Sequence, residues 1–343
     1  MSIKRFFNRA RLAGYITGEQ EVPLTRGVNL HEIRIRLTAT VDVAAGGGND
    51  GVLQTEGIQR FIRTLRVTHD GVDVVRPVTV RDLYQLSARV ALDATAATNL
   101  AAPGIATTNV ALDFVVPFWR QYLSKPINVC WPGTIPINQQ WALYYTFDDS
   151  LATAGDSPGS GAFIVGGDRA VTITNVALEI IEVYSTGRVQ PWRVPRITVR
   201  ETRPWTAGQA DFPLDLQGLA DFDSVLLRTL ESATRDAFDG ATRLRLQAGN
   251  GSVRFADASF IAFQRDEQVL FPAVRQIGRD GTLFHLIADG GLLSNRIEPG
   301  KLPTPEYMFD VITPPVGPDA IVRGVFMELI ARPPYTLPQQ GQG

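Results

Sequence analysis

TLRVTHDGVDVV at residues 64–75 and RLRLQAGNGSVRF at residues 243–255 share one pattern. In each, alternating residues run into a turn signal, Asp70-Gly71 in the first and Asn250-Gly251 in the second, and then out again. Asp-Gly and Asn-Gly accept the positive φ values of a tight turn, so both stretches are read as β-hairpins. Each is followed at a distance by a similar strand, NVALEII at 175–181 and GVFMELI at 324–330. Two matches in the same order suggest a duplicated β unit, although the spacings differ between the halves.

The surrounding sequence is strand-rich. HEIRIRLTATVDVAA (31–45) alternates with period two: Ile33, Ile35, Leu37, Ala39, Val41 and Val43 against Glu32, Arg34, Arg36, Thr38, Thr40 and Asp42. Successive side chains of a strand face opposite ways, so this is a half-buried strand that ends at the glycine run 46–48. VALDFVVPF (110–118) repeats the alternation, with Pro117 marking an edge or a strand end because it cannot donate to a ladder. WALYYTF (141–147) and AVTITNVALEIIEVYS (170–185) have strand composition, and the second reads as a central strand covered on both faces beyond Val176. Helices are expected at 78–90, with Thr79 and Asp82 as a capping signal, and at 221–238, where Leu226, Leu230 and Ala233 share a helical stripe. Prolines around 187–205 place a domain boundary near Ser185–Val194.

Composition excludes several classes. A chain of 343 residues fits two domains. Its 44% hydrophobic and 20% charged content is that of a globular protein. The formal net charge of -2 argues against specific nucleic-acid recognition by the whole surface. One cysteine, Cys130, rules out an internal disulfide and a cysteine-based zinc site. No apolar run reaches a signal peptide or the ~20 residues of a membrane span, which implies a protein made in a reducing cytoplasm.

The paired hairpins, the paired later strands and the basic segment IKRFFNRAR (3–11) together resemble the double jelly-roll major capsid proteins of tailless, membrane-containing icosahedral bacteriophages. The resemblance spans nearly the whole chain and is architectural. It implies an all-β chain of two tandem eight-stranded jelly-roll barrels with short helices in the connections. The expected organisation is a basic N-terminal tail at 1–14, a first jelly roll at 15–190 and a second at 191–343. It also implies a shell protein of the virion capsid, made in the host cytoplasm and without a cofactor. The chain's partners would be itself, as a homotrimeric pseudo-hexagonal capsomer and in capsomer–capsomer contacts, and penton or minor capsid proteins. The N-terminus would face an internal membrane. Lys4, Arg5, Phe6, Phe7, Arg9 and Arg11 are the candidate residues for that membrane or interior contact. A basic amphipathic segment on an anionic membrane and a disordered terminus both fit them.

The residues offer little chemistry. His31, His69 and His285 have no second histidine at metal-ligand spacing, so they read as structural. Cys130 has no base signature beside it and reads as a small buried hydrophobe. The glycine-rich 155–163 and 166–170 lack the lysine and Ser/Thr of a phosphate-binding loop. Asp148-Asp149 with Asp156, or Asp221 with Asp223, read as turn carboxylates, with a calcium site as the alternative. The rival functions are a virion spike or a two-domain carbohydrate-binding protein, with Trp141, Tyr144 and Tyr145 as the aromatic candidates, and a glycosidase with two separated carboxylates.

Overall fold

The computed structural model describes residues 6–13, 18–43, 52–53, 57–90, 107–118, 131, 140–148, 164–165, 171–186, 193–231, 237–271, 281–287, 296–314 and 319–331. The described chain is built from two sets of strands with one connectivity. In the first set, β1 (Phe6–Ala13), β10 (Val171–Ser185), β3 (Asn29–Val43) and β7 (Thr107–Pro117) form one sheet in that order. It pairs as a layer with β2 (Glu19–Pro23), β8 (Trp141–Phe147), β5 (Ile62–His69) and β6 (Val72–Val78).

In the second set the same order recurs. One sheet face is β11 (Arg193–Glu201), β18 (Ala320–Ala331), β13 (Asp221–Glu231) and β16 (Thr282–Leu286); the other is β12 (Gln209–Asp215), β17 (Glu306–Val311), β14 (Ala241–Ala248) and β15 (Val253–Ser259). Each set places a helix after its hairpin: α1 (Val80–Val90) after β6, and α2 (Phe260–Leu270) after β15. A short ribbon, β4 (Val52–Leu53) with β9 (Ile164–Val165), completes the described strands.

The hairpin turns form where the sequence placed them. Asp70 and Gly71 have φ of 51° and 76°, and Asn250 and Gly251 have 54° and 84°; these values favour the short polar side chains and glycine found there. On β3 the predicted face is buried: Ile33, Ile35, Leu37, Ala39 and Val41 all lie in the core. Pro117 ends β7, an edge strand of its sheet. β10 is central between β1 and β3, but Glu179 and Ile181 are only half-buried, so one of its faces is only partly covered.

The two sets are joined along β6 and β11, which run parallel and register at Val75 and Ile197. Four strands from each set thereby make one eight-stranded sheet. Strands β13 and β18 then serve two cores at once. Val225, Leu227, Val322 and Phe326 pack inside the second set, while Leu226, Val325 and Met327 join the core of the first. Successive strand residues face opposite ways, which is how one strand can fill two interiors.

This double burial corrects the expectation of a helix at 221–238, because Asp221–Glu231 is β13, buried along nearly its whole length. A continuous apolar run does not separate a two-sided strand from a helix by its period. The missed helix, α2, starts at an N-cap, where Ser259 accepts a hydrogen bond from the Ala262 N–H at 3.3 Å. The separate tail expected at 1–14 is also corrected. Phe6–Ala13 is β1, hydrogen-bonded along β10 from Phe6 opposite Tyr184 to Ala13 opposite Ala177. Arg9 and Arg11, two residues apart, fit the period of a strand, and β10 offers the open ladder.

Deleting residues 1–13 removes the eight-residue β1 and opens the β10 edge. Differential scanning fluorimetry should show a lower melting temperature than for the full chain, and light scattering should show irregular aggregates. A truncated chain that melts with the full-length protein and stays monodisperse would make β1 dispensable.

Candidate functional site at the seam between the barrels

The seam between the two sets of strands holds charged side chains that are almost fully removed from water. Helix α1 begins at Thr79, whose hydroxyl accepts from the Asp82 N–H at 3.2 Å and donates to the Asp82 carboxylate at 2.8 Å. Leu83, Leu86 and Val90 anchor the helix in the first core. This places Asp82, fully buried, against the second set of strands. Arg228 of β13 donates to Asp82 Oδ1 at 3.0 Å, and Arg323 Nε of β18 lies 2.9 Å from Asp82 Oδ2. Arg228 and Arg323 are cross-strand partners, and Arg323 also holds Glu201 at 2.7 Å.

Burial by itself would raise the Asp82 carboxyl, but Arg323 and Arg228 outweigh it and hold its pKa down to about 2. Two turns of helix further on, Arg89 reaches Glu267 of α2, and its guanidinium also bonds the Gln85 carbonyl and side chain. The Arg89 and Glu267 side chains are both fully buried. Removing one partner of such a pair costs about 3–5 kcal/mol, because the other charge is left in a poorly solvating interior.

An aromatic anchor closes the other end of the seam. Trp131 bridges Leu30 through backbone hydrogen bonds and donates its Nε1–H to the Pro195 carbonyl of β11 at 2.8 Å. Its ring packs 5.1 Å from Trp141 and 5.5 Å from His69. On the second set, the buried Glu328 accepts from Arg196 at 2.6 Å, from the Ala220 N–H at 2.8 Å and from Thr198.

The residues singled out from the sequence separate into structural roles. His31 Nε2 lies 2.9 Å from the Ser185 hydroxyl, and His69 is stacked on the tryptophans. His285 keeps some exposed surface, with Nδ1 2.9 Å from the Tyr307 hydroxyl and its ring against Phe263. Desolvation pushes its pKa down to about 4. Asp221 is held by Arg193 and Arg296, each at 3.0 Å, and Asp223 accepts from the Ser224 hydroxyl at 2.7 Å. Among the described residues no group of three or more His, Cys, Asp or Glu side chains comes together.

Trp141 and Tyr145 are buried and Tyr144 lies under Arg66 at 4.3 Å, so these residues do not form the exposed aromatic row of a sugar platform. Lys4, Arg5, Cys130, Asp149, Asp156 and both glycine-rich stretches lie outside the described residues. The backbone of Phe6, Phe7, Arg9 and Arg11 is committed to the β10 ladder, opposite Tyr184, Val183, Ile181 and Glu179. The seam charges escaped the sequence reading because Asp82 and Arg228 are 146 positions apart and Arg89 and Glu267 are 178 apart. No short motif links such pairs.

Two pH windows follow from these shifts. As pH falls from 6.5 toward about 4, His285 stays neutral in the folded chain while the unfolded chain takes up a proton, so stability drops. As pH falls from 3.8 toward about 2, the stabilisation from ionised Asp82, roughly 2 kcal/mol, is lost. Urea melts across pH should show His285→Phe flattening the first slope and Asp82→Asn the second. At pH 7, Asp82→Asn should cost about 3–5 kcal/mol; a cost below about 1 kcal/mol would show that the cluster does not hold the seam.

No protein-family model and no curated protein sequence matches this chain. Solved structures do. The crystal structure of the STIV MCP aligns with 96% of this chain and 97% of its own, at a TM-score of 0.67 and 13% identity. A chain in the atomic structure of Sulfolobus Turreted Icosahedral Virus aligns with 96% of this chain and 91% of its own, at a TM-score of 0.65 and 13% identity. The major capsid protein P2 from Bacteriophage PM2 aligns with 97% of this chain and 100% of its own, at 0.60 and 11% identity. The similarity covers both barrels and their order along the chain, and this chain therefore has the double jelly-roll fold of these viral major capsid proteins.

Proposed function

We propose that this chain is a major capsid protein, a structural protein and not an enzyme, that assembles as a homotrimer of pseudo-hexagonal outline in the shell of an icosahedral virion. The observation that carries this reading is the seam itself, taken as one step of a repeating contact. Within the chain, edge strand β6 and helix α1 of the first barrel pack against the β11-β18-β13-β16 sheet of the second. The same elements of the second barrel, β15 and α2, are left open. β15 is an edge strand with Val253 and Phe255 exposed, each at 44%.

Helices α1 and α2 are both eleven residues long. Counted from their first residues, Arg81, Gln85 and Arg89 of α1 correspond to Ile261, Arg265 and Val269 of α2. The α1 stripe faces the seam through Arg89. The α2 stripe faces solvent, with Ile261 57% and Val269 76% exposed. The receiving surface has its counterpart in the β1-β10-β3-β7 sheet of the first barrel, where Arg34, Arg36, Asp113, Glu179 and Ile181 line a shallow cavity of about 210 Å³.

Repeating the seam between chains brings β15 and α2 of one copy to that sheet of the next. A head-to-tail contact of this kind either closes into a ring or grows without limit. Two barrels per chain and three chains give a ring of six similar units, which suits hexagonal tiling. The β1 start lies at the Trp131 end of the seam, since Tyr184 pairs with both Phe6 and Leu30. We assign that end, preceded in the sequence by Lys4 and Arg5, to the particle interior and an internal membrane.

Light scattering on the purified chain should give the mass of a trimer or of larger regular particles. Ile261→Asp with Val269→Asp should yield a monomer with the wild-type melting temperature. A wild-type chain that stays monomeric at its highest soluble concentration and forms no particles overturns the reading.

A further inference from the structure

The turn between β14 and β15 carries chemistry of its own. Asn250-Gly251 is the only Asn-Gly pair in the sequence. It fills the two central positions of the turn 249–252, which the Ser252 N–H closes onto the Gly249 carbonyl at 3.2 Å. Asn250 is exposed, and among the described residues the Gly251 amide donates no hydrogen bond. The segment before β17 comes against this turn. The Gly249 N–H donates to the Pro303 carbonyl at 2.6 Å, and the Thr304 hydroxyl donates to the Asn250 side-chain carbonyl at 3.4 Å. Thr304 holds that place at a φ of 39°, in the left-handed region that a β-branched residue rarely adopts. Backbone strain of this kind gathers where the position of a side chain matters.

We propose that Asn250 is a self-modifying site: the Gly251 amide nitrogen attacks the Asn250 side-chain carbonyl, whose oxygen takes a hydrogen bond from Thr304. A bond from Gly251 N to Asn250 Cγ closes a five-membered imide. The Gly251 amide proton passes to hydroxide in the solvent. The bond from Cγ to the side-chain nitrogen breaks, and that nitrogen takes a proton from water and leaves as ammonia. Water then opens the ring. Addition at Cγ gives aspartate. Addition at the main-chain carbonyl gives isoaspartate, in which the chain runs through the side-chain carbon and gains a methylene. Water and hydroxide are the only co-reactants.

The turn favours the attack in three ways. Glycine puts no side chain beside the attacking nitrogen. An amide without a hydrogen-bond partner gives up none when it reacts. A donor at the carbonyl oxygen stabilises the negative charge that develops there, and a long resting hydrogen bond tightens as that charge grows. Comparable positions lack the combination. Asn175 shares a positive φ, 53°, but it precedes the β-branched Val176, and its side-chain amide donates to Thr40 at 3.3 Å. In the twin hairpin, Asp70 Oδ1 accepts from the Gln140 N–H at 2.9 Å, which ties that side chain down. Aspartate at 250 keeps the turn, because it tolerates the left-handed region. Isoaspartate does not, since its extra methylene falls where the turn sets the register of β14 with the edge strand β15. This site is independent of the capsid reading, because the reaction is followed on the isolated chain whatever its oligomeric state.

Peptide mapping by mass spectrometry on the full chain, aged at mildly alkaline pH, tests it. Asn250 should exchange its amide nitrogen for oxygen and yield isoaspartate, faster as hydroxide rises, while Asn175 stays intact over the same period. Thr304→Val keeps the branched shape and removes the donor. It should slow the folded chain at least about threefold, the worth of one long neutral hydrogen bond. In urea the turn is lost, and the variant and the wild type should react alike. Gly251→Ala should slow the reaction further; if it does not fold, Thr304→Val, at an exposed position, keeps the test valid. An unmodified Asn250, one that reacts no faster than Asn175, or a folded Thr304→Val chain as fast as the wild type overturns the proposal.

Discussion

The architecture turns on one buried carboxylate held by two guanidinium groups across a domain seam. Asp82 projects from the first turn of α1 into the gap between barrels, where Arg228 and Arg323 arrive from adjacent strands of the other barrel. A charge in that position is tolerated only if its partners are present and correctly oriented. The cluster therefore acts as a geometric lock: the barrels dock in the arrangement that brings the three groups together, and any slip of β13 relative to β18 strands a buried charge. Arg89 and Glu267 add a second lock between the two helices.

Around these locks the seam is built from ordinary strand physics. The parallel contact of β6 with β11 merges the barrels into one eight-stranded sheet, which hides two sheet edges that would otherwise offer unpaired ladder groups. Strands β13 and β18 give alternate residues to each core, so neither barrel has an interior independent of the other. The apolar contacts supply most of the stabilisation, in the manner of any domain core. The ion pairs add little net energy and much orientation, because long-range registry is what apolar surfaces specify poorly.

The same design explains why the chain ends with an open face. A duplicated barrel presents the elements of the seam twice, and within one chain they are satisfied once. α1 is covered, whereas α2 carries Ile261 and Val269 into solvent at the corresponding stripe, with Leu270 exposed beside them. Exposed apolar residues clustered on a helix beside an edge strand mark a surface meant for a partner. In the assembly proposed above, a second copy of the same chain would carry the receiving sheet.

Local chemistry along the chain was enough to settle the hairpins, β3, β7 and the start of α1. Asp-Gly, Asn-Gly, strict alternation and a Thr79–Asp82 cap act within a few residues of one another, so no distant contact is needed to read them. β1, β13 and α2 needed the tertiary structure. Phe6–Ala13 is a strand because β10 offers it a ladder, and Asp221–Glu231 is a strand because cores on both sides claim its alternate residues. Neither the ladder nor the second core exists until residues more than a hundred positions away have folded. The seam charges follow the same rule. Asp82, Arg228 and Arg323 are unremarkable singly, and their meaning comes from both arginines being brought within 3.0 Å of a carboxylate that is fully buried. Sequence by itself determined which segments turn and alternate; only the tertiary structure decided which charges are buried together, because burial depends on the whole chain and periodicity on its neighbours.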